Sequence, residues 1–136
     1  MSFEILNPAG LPEPRGYSHG LLAAPGGRLL FVAGQAGWDE RSEGAPPGFV
    51  EQFGLALDKV LAVVRAGGGG PASLARLTIY VTDLAAYRRA RKDLGRIWRA
   101  RLGAHDPAVA LVEVKGLVDR GALVEIEATA VVAEGT

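Results

Sequence analysis

Cysteine is absent from this 136-residue chain, which excludes disulfides, thiol catalysis and thiolate metal sites. Histidine is scarce. His19 and His105 stand far apart, with no His-x-x-x-His spacing and no carboxylate cluster beside them, so no metal site is expected. Net charge is missing as well: 15 basic residues balance 15 acidic ones, which removes bulk attraction to nucleic acid or to an anionic membrane. No apolar run approaches the roughly 18 residues that a spanning helix needs. The opening stretch, MSFEILNPAGLPEP, shows neither the basic start nor the apolar core of a signal peptide, so a cytoplasmic location is the default expectation. No motif calls for a cofactor.

What remains is an ordinary globular composition, 49% apolar and 22% charged, at a length that suits one domain spanning 1–136. Residues 18–24 and 28–34 are short apolar runs joined by Pro25-Gly26-Gly27, which reads as a hairpin. A Gly-, Pro- and Glu-rich loop follows from Gly37 to Gly48. FVEQFGLALDKVLAVVRAG then sets Phe49, Phe53, Leu57, Val60, Leu61 and Val64 on one helical stripe, ended by glycines 67–70 and Pro71. SLARLTIYVTD alternates as a strand. AYRRARKDLGRIWRARL reads as a second helix with Tyr87, Leu94, Ile97 and Trp98 on its buried side. Two strands near 108–114 and 122–132 close the chain, and a short one near 3–6 fits the pattern. The order β-β-β-α-β-α-β-β describes an α+β domain with two helices on one face of a mixed sheet.

The other sheet face carries the polar groups. Glu125 and Glu127 are two apart in ALVEIEATAVV, so an extended strand points both to one side. Arg76, Thr78, Tyr80 and Thr129 are expected beside them, together with apolar residues such as Val109 and Leu111. With helices covering the first face, this mixture of aromatic, apolar and polar groups has the character of a subunit interface.

Several motifs invite chemistry and yield to plainer readings. Ser18 and His19 are neighbours, and neighbours on a strand point to opposite faces, so they do not make a nucleophile–base pair, whereas Tyr17 and His19 share a face. AGGGGP lacks the Lys-Ser/Thr of a phosphate loop and reads as a helix stop. The second helix holds Arg88, Arg89, Arg91, Lys92, Arg96, Arg99 and Arg101 against one acid, Asp93; most of this ridge reads as a solvated face. Arg91 differs. Its spacing from Tyr87 and Trp98 places it on the buried stripe, where a guanidinium either has an anionic partner, Glu125 of a neighbouring subunit or an acidic ligand, or snorkels to solvent from the edge of the stripe.

With the elements in this order, the chain resembles the RidA/YjgF/YER057c/UK114 family along nearly its whole length. The matching stretches are GYSHG (16–20), LLFVAGQ (29–35), EQFGLALDKVL (51–61), TIYVTDL (78–84), PAVALVEV (107–114) and VEIEATAV (124–131). The resemblance implies a chorismate-mutase-like fold and a homotrimer with its sheets facing inward and a ligand cleft at each subunit interface. It also implies hydrolysis of reactive 2-imino or 2-enamino acids to 2-oxo acids and ammonia.

The family's site maps onto this chain residue by residue. The glutamate that handles water matches Glu125, and the cleft tyrosine matches Tyr17. The serine before the family's Gly-Gln corresponds to Ala33, ahead of Gly34, and the asparagine of the second helix falls at Arg91. The arginine of the family's PARS motif, which grips the substrate carboxylate, is Val109 here, so this is a divergent member; Trp38 extends the lining. Valine cannot imitate a bidentate Arg–carboxylate pair, and losing about 3 kcal/mol of such binding slows turnover roughly a hundredfold. The leading expectation is therefore a divergent imine or enamine hydrolase (deaminase) with weak or altered activity, whose cleft takes a small-molecule ligand such as an imino or oxo acid or a less acidic analogue. The alternatives are a non-catalytic trimer that binds a metabolite or protein, and an RNA-directed translation inhibitor or endoribonuclease. Balanced charge and the lack of a histidine pair count against RNA.

Overall fold

The computed structural model describes residues 3–134. Its elements, in chain order, are β1 (Phe3–Leu6), β2 (Gly20–Ala23), β3 (Arg28–Ala36), α1 (Phe49–Ala66), a 3-10 turn (Pro71–Ser73), β4 (Leu74–Val81), α2 (Leu84–Arg89), α3 (Arg91–Leu102), β5 (Ala108–Glu113) and β6 (Val124–Val132). The α+β architecture is as expected, with two differences in detail. The second helix is two segments, and the second strand finds a different partner.

Four strands form the main sheet in the order β3-β6-β4-β5, with β4 and β5 parallel and the remaining pairs antiparallel. In β6 the alternation decides the orientation: Val124, Ile126, Ala128 and Ala130 are buried, while Glu125, Glu127 and Thr129 face away. Leu77, Ile79 and Val81 of β4 join the same buried layer. α1 covers it with Phe53, Leu57, Val60, Leu61 and Val64, and α3 adds Leu94, Trp98 and Leu102. α1 ends where Gly68 takes φ +90°, a conformation side chains oppose. Asp83 starts α2 by accepting hydrogen bonds from Ala85 N (2.9 Å) and Ala86 N (3.2 Å).

The hairpin expected between 18–24 and 28–34 does not form as a pair. β2 pairs instead with β1, from Phe3↔Ala23 to Leu6↔Gly20, and β3 pairs with β6. Burial explains the choice: beside β6, Leu30 and Val32 lie on the core face opposite Ala130 and Ala128, whereas Leu22 and Ala23 are exposed. A second correction concerns Val109 and Leu111. They pair with Leu77 and Ile79, so they belong to the helix-covered face and pack against the core; Ala108, Ala110 and Val112 take the open face. Both alternating sets of β5 are apolar, so periodicity alone could not choose between them.

Candidate functional site

Two regions carry the candidate residues, one on each side of the sheet. On the helix side, a cleft of about 370 Å³ opens between α2, α3, β5 and the segment around Tyr17. Phe53, Ile79, Leu94, Trp98, Val109 and Leu111 give it apolar walls, and Tyr17, Tyr87, Arg15 and Arg91 bring the polar groups. The Tyr17 segment is tied down on both flanks. Trp98 Nε1 donates to Gly16 O (3.0 Å), and Ser18 is buried with its Oγ donating to Asp106 O (2.6 Å) and its N–H to Pro107 O (3.0 Å). Gly16 sits at φ +79°, which lets the chain turn against α3 at that point.

On the open side, β3 carries a bulge. Val32 pairs with Ala128 and Gln35 with Ile126, so Ala33 and Gly34 occupy a stretch with one residue more than β6 offers opposite. Glu125 lies directly over it: a Cβ on Gly34 would stand 2.6 Å from Glu125 Oε2 and 2.8 Å from Cδ. Glycine at 34 is what lets the carboxylate settle on the backbone there. The start of β6 is held by Gln52 of α1, fully buried, whose Nε2 donates to Pro47 O (3.0 Å) and Gly121 O (2.9 Å) while Oε1 accepts from Leu123 N (2.9 Å). Gly37 leaves room for that helix, since a Cβ on it would stand 2.4 Å from Gln52 O.

Glu127 shares the open face with Glu125 and has a structural partner, Tyr80, whose hydroxyl donates to Oε1 at 3.0 Å. That hydrogen bond is the main reason the Tyr80 phenol is held above its ordinary pKa, with desolvation and the Glu127 charge acting in the same direction. Leu29 and Phe31 extend this face, 64% and 73% exposed in the isolated chain.

The sequence-predicted site thus divides. Tyr17, Arg91 and Val109 meet in the cleft, while Ala33, Gly34 and Glu125 meet on the opposite side of the sheet. Trp38 joins neither cleft wall; it packs at the loop near Gly121, whose Cβ would lie 3.4 Å from Trp38 Cε3, and its Nε1 is buried without a hydrogen-bond partner. Arg91 is exposed rather than buried. The expected single helix is interrupted at Ala90 (φ −97°, ψ 3°) and Arg91 begins α3; it lines the cleft with Tyr87, Leu94 and Trp98 as the stripe implies, but exposed. Arg15, Tyr87 and Leu111 are cleft residues that sequence reasoning missed; the one available signal for Arg15 was its closeness to Tyr17.

The other motifs take structural roles. Tyr17 and His19 meet edge to face at 5.3 Å, and His19 Nε2 donates to Pro12 O (2.7 Å), leaving Ser18 and His19 unconnected. His105 Nε2 donates to Leu74 O (2.7 Å). From the arginine ridge, Arg101 clasps Asp58 of α1 through two bonds of 2.6 and 3.1 Å, Arg99 pairs with Asp106, and Arg96 pairs with Asp93 at 3.0 Å. Among the described residues, no group of three or more His, Asp or Glu side chains is gathered to hold a metal, and no helix is long and apolar enough to cross a membrane.

Comparison with known proteins accords with this architecture. The sequence profile of the family described as endoribonuclease L-PSP matches residues 11–132. YyfB of Yersinia pestis, a Rid-family protein of unknown function, is 30% identical and superposes with a TM-score of 0.78 over 97% of this chain and 100% of its own. A Mycobacterium tuberculosis member of the YjgF/YER057c/UK114 family is 32% identical with a TM-score of 0.62, over 86% of this chain and 87% of its own. Protein DfrA of Myxococcus xanthus is 35% identical over 77% of each chain. A profile match over most of the length, carried on the same fold, leads to one assignment: the chain belongs to the RidA/YjgF/YER057c/UK114 family.

Proposed function

We propose that the chain acts as a homotrimer whose small-molecule clefts are completed at subunit interfaces, and that it hydrolyses imines or enamines more apolar than simple imino acids. One observation carries this reading. Tyr17 and Glu125, the two candidate catalytic groups, lie on opposite sides of one sheet, so a single cleft can contain both only if they come from different subunits. The exposed Phe31 and Leu29, farther along the same open face opposite Thr129 and Val131, supply apolar surface for that contact.

In such a cleft Glu125 accepts a proton from water as the water oxygen attacks the protonated imine carbon. The resulting carbinolamine passes its proton to nitrogen and expels ammonia, leaving the carbonyl. Tyr17 orients the substrate from the other subunit. Val109 replaces a carboxylate grip with apolar contact, which shifts preference toward aliphatic or aromatic side chains. RNA cleavage, the activity named in the family's description, is opposed by both imidazoles being committed to backbone carbonyls.

Subunit mixing tests the proposal. Glu125→Gln and Tyr17→Phe homotrimers should each release ammonia slowly from imines generated in place from phenylalanine or leucine. Random mixed trimers should regain activity, because about one cleft in four then receives both intact groups. No recovery on mixing, with exchange verified, refutes the divided site. Rapid turnover of 2-aminoacrylate by the wild-type protein, matching that of an arginine-bearing relative, refutes the altered preference.

A further inference from the structure

We propose that Arg15 and Arg91 together form an anion clamp on the cleft, and that its ligand is an organic anion with an apolar or aromatic body. This rests on the reading of the cleft as a small-molecule site, and it places the acid-binding function on residues other than position 109. Arg15 and Arg91 are the only charged side chains among the cleft-lining residues, and no carboxylate lines it. In a chain with no net charge, this is a local concentration of positive charge against apolar walls. None of the ion pairs among the described residues uses either arginine. Glu13, two residues before Arg15, lines a second hollow on the other side of Tyr17, and Asp106, which lines that hollow too, is already paired with Arg99.

Two guanidinium groups on one cleft repel each other, and an anion between them relieves that repulsion while gaining charge-assisted hydrogen bonds strengthened by the apolar surroundings. Position is also settled in advance. The Trp98–Gly16 hydrogen bond fixes the backbone next to Arg15, and the break at Ala90 makes Arg91 the first residue of α3. With the backbone held at both points, the ordering cost of binding is confined to the two arginine side chains.

Calorimetric titration of the full chain with cinnamate and with cinnamamide, its neutral counterpart of nearly the same shape, tests the clamp. Cinnamate should bind about tenfold or more tightly than the amide. Arg15→Gln and Arg91→Gln should each reduce that preference, and the double variant should abolish it, leaving acid and amide with equal affinity. Equal affinity for acid and amide in the wild-type protein overturns the proposal, as does a preference that survives both substitutions or an absence of cinnamate binding at millimolar concentration. Arg15→Lys and Arg91→Lys should keep part of the preference, which separates loss of charge from loss of fold. Because the readout is equilibrium binding, it is independent of hydrolysis: a protein inactive on imines that still selects cinnamate keeps the clamp and refutes the hydrolase, and the converse result does the opposite.

Discussion

β4 and β6 separate two unlike surfaces using alternate residues of the same strands. Leu77 and Ile79 of β4 turn to the helix side, where the cleft is apolar, positive and free of carboxylates. Thr78 and Tyr80 turn to the open side, which Glu125 and Glu127 share with exposed Phe31 and Leu29 farther along the sheet. For the hydrolysis proposed above, neither surface alone has the parts: the cleft is a pocket lined by no carboxylate, and the open face carries carboxylates without a pocket. The sheet itself is the reason, since its thickness keeps the two sets of side chains apart within one subunit. Assembly of copies is the direct way to join them.

The comparison is broken most severely at Phe31. Phe31→Asp would bury a charge in each proposed interface, at a cost of several kcal/mol per site. Light scattering should then report a monomer in place of the trimer proposed for the wild-type protein, with the circular dichroism spectrum kept because Phe31 lies outside the core. A persistent trimer would mean that the open face is not the interface. Gly34→Ala is expected to act more locally. Its Cβ meets the movable end of the Glu125 side chain, 2.6 Å from Oε2, so the carboxylate must leave its seat while the backbone stays. Ammonia release should fall about tenfold, with thermal unfolding nearly unchanged. A large loss of stability without loss of activity would make Gly34 a packing residue and nothing more.

The smallest effect is at Tyr80. Its phenol is held above the ordinary value of about 10, chiefly by the hydrogen bond to Glu127. The folded state therefore favours the protonated phenol, a contribution fully present below the ordinary pKa and lost as pH rises through the higher folded value. Ultraviolet titration of the phenolate should show Tyr80 ionising later in the wild-type protein than in Glu127→Gln. Identical titration curves would remove the Tyr80–Glu127 bond as a feature of the open face.

Much of the frame was readable before the fold was seen. The stripe from Phe49 to Val64, the alternation in β4 and β6, and the shared direction of Glu125 and Glu127 follow from the helical and strand periods alone. Tyr17 and Glu125 were reached through matching motifs, as were Ala33 and Gly34. The partner of β2 was not readable, because its short apolar run fits either β1 or β3 and the choice depends on which pairing buries more. The orientation of Val109 was hidden for a related reason, β5 being apolar on both faces. The side Arg91 takes was readable, since it lines the cleft with Tyr87 and Trp98, but its exposure was not, because the helical period does not say how far the packing around a stripe extends.

Local periods and turn residues act over a few positions, so the chain's own order was enough to determine its elements and the face each polar residue takes within its strand. Which faces meet, where a helix is interrupted, and that Arg15 shares a cleft with Arg91 depend on groups distant in sequence competing for the same buried space. Only the packed tertiary structure decides that competition.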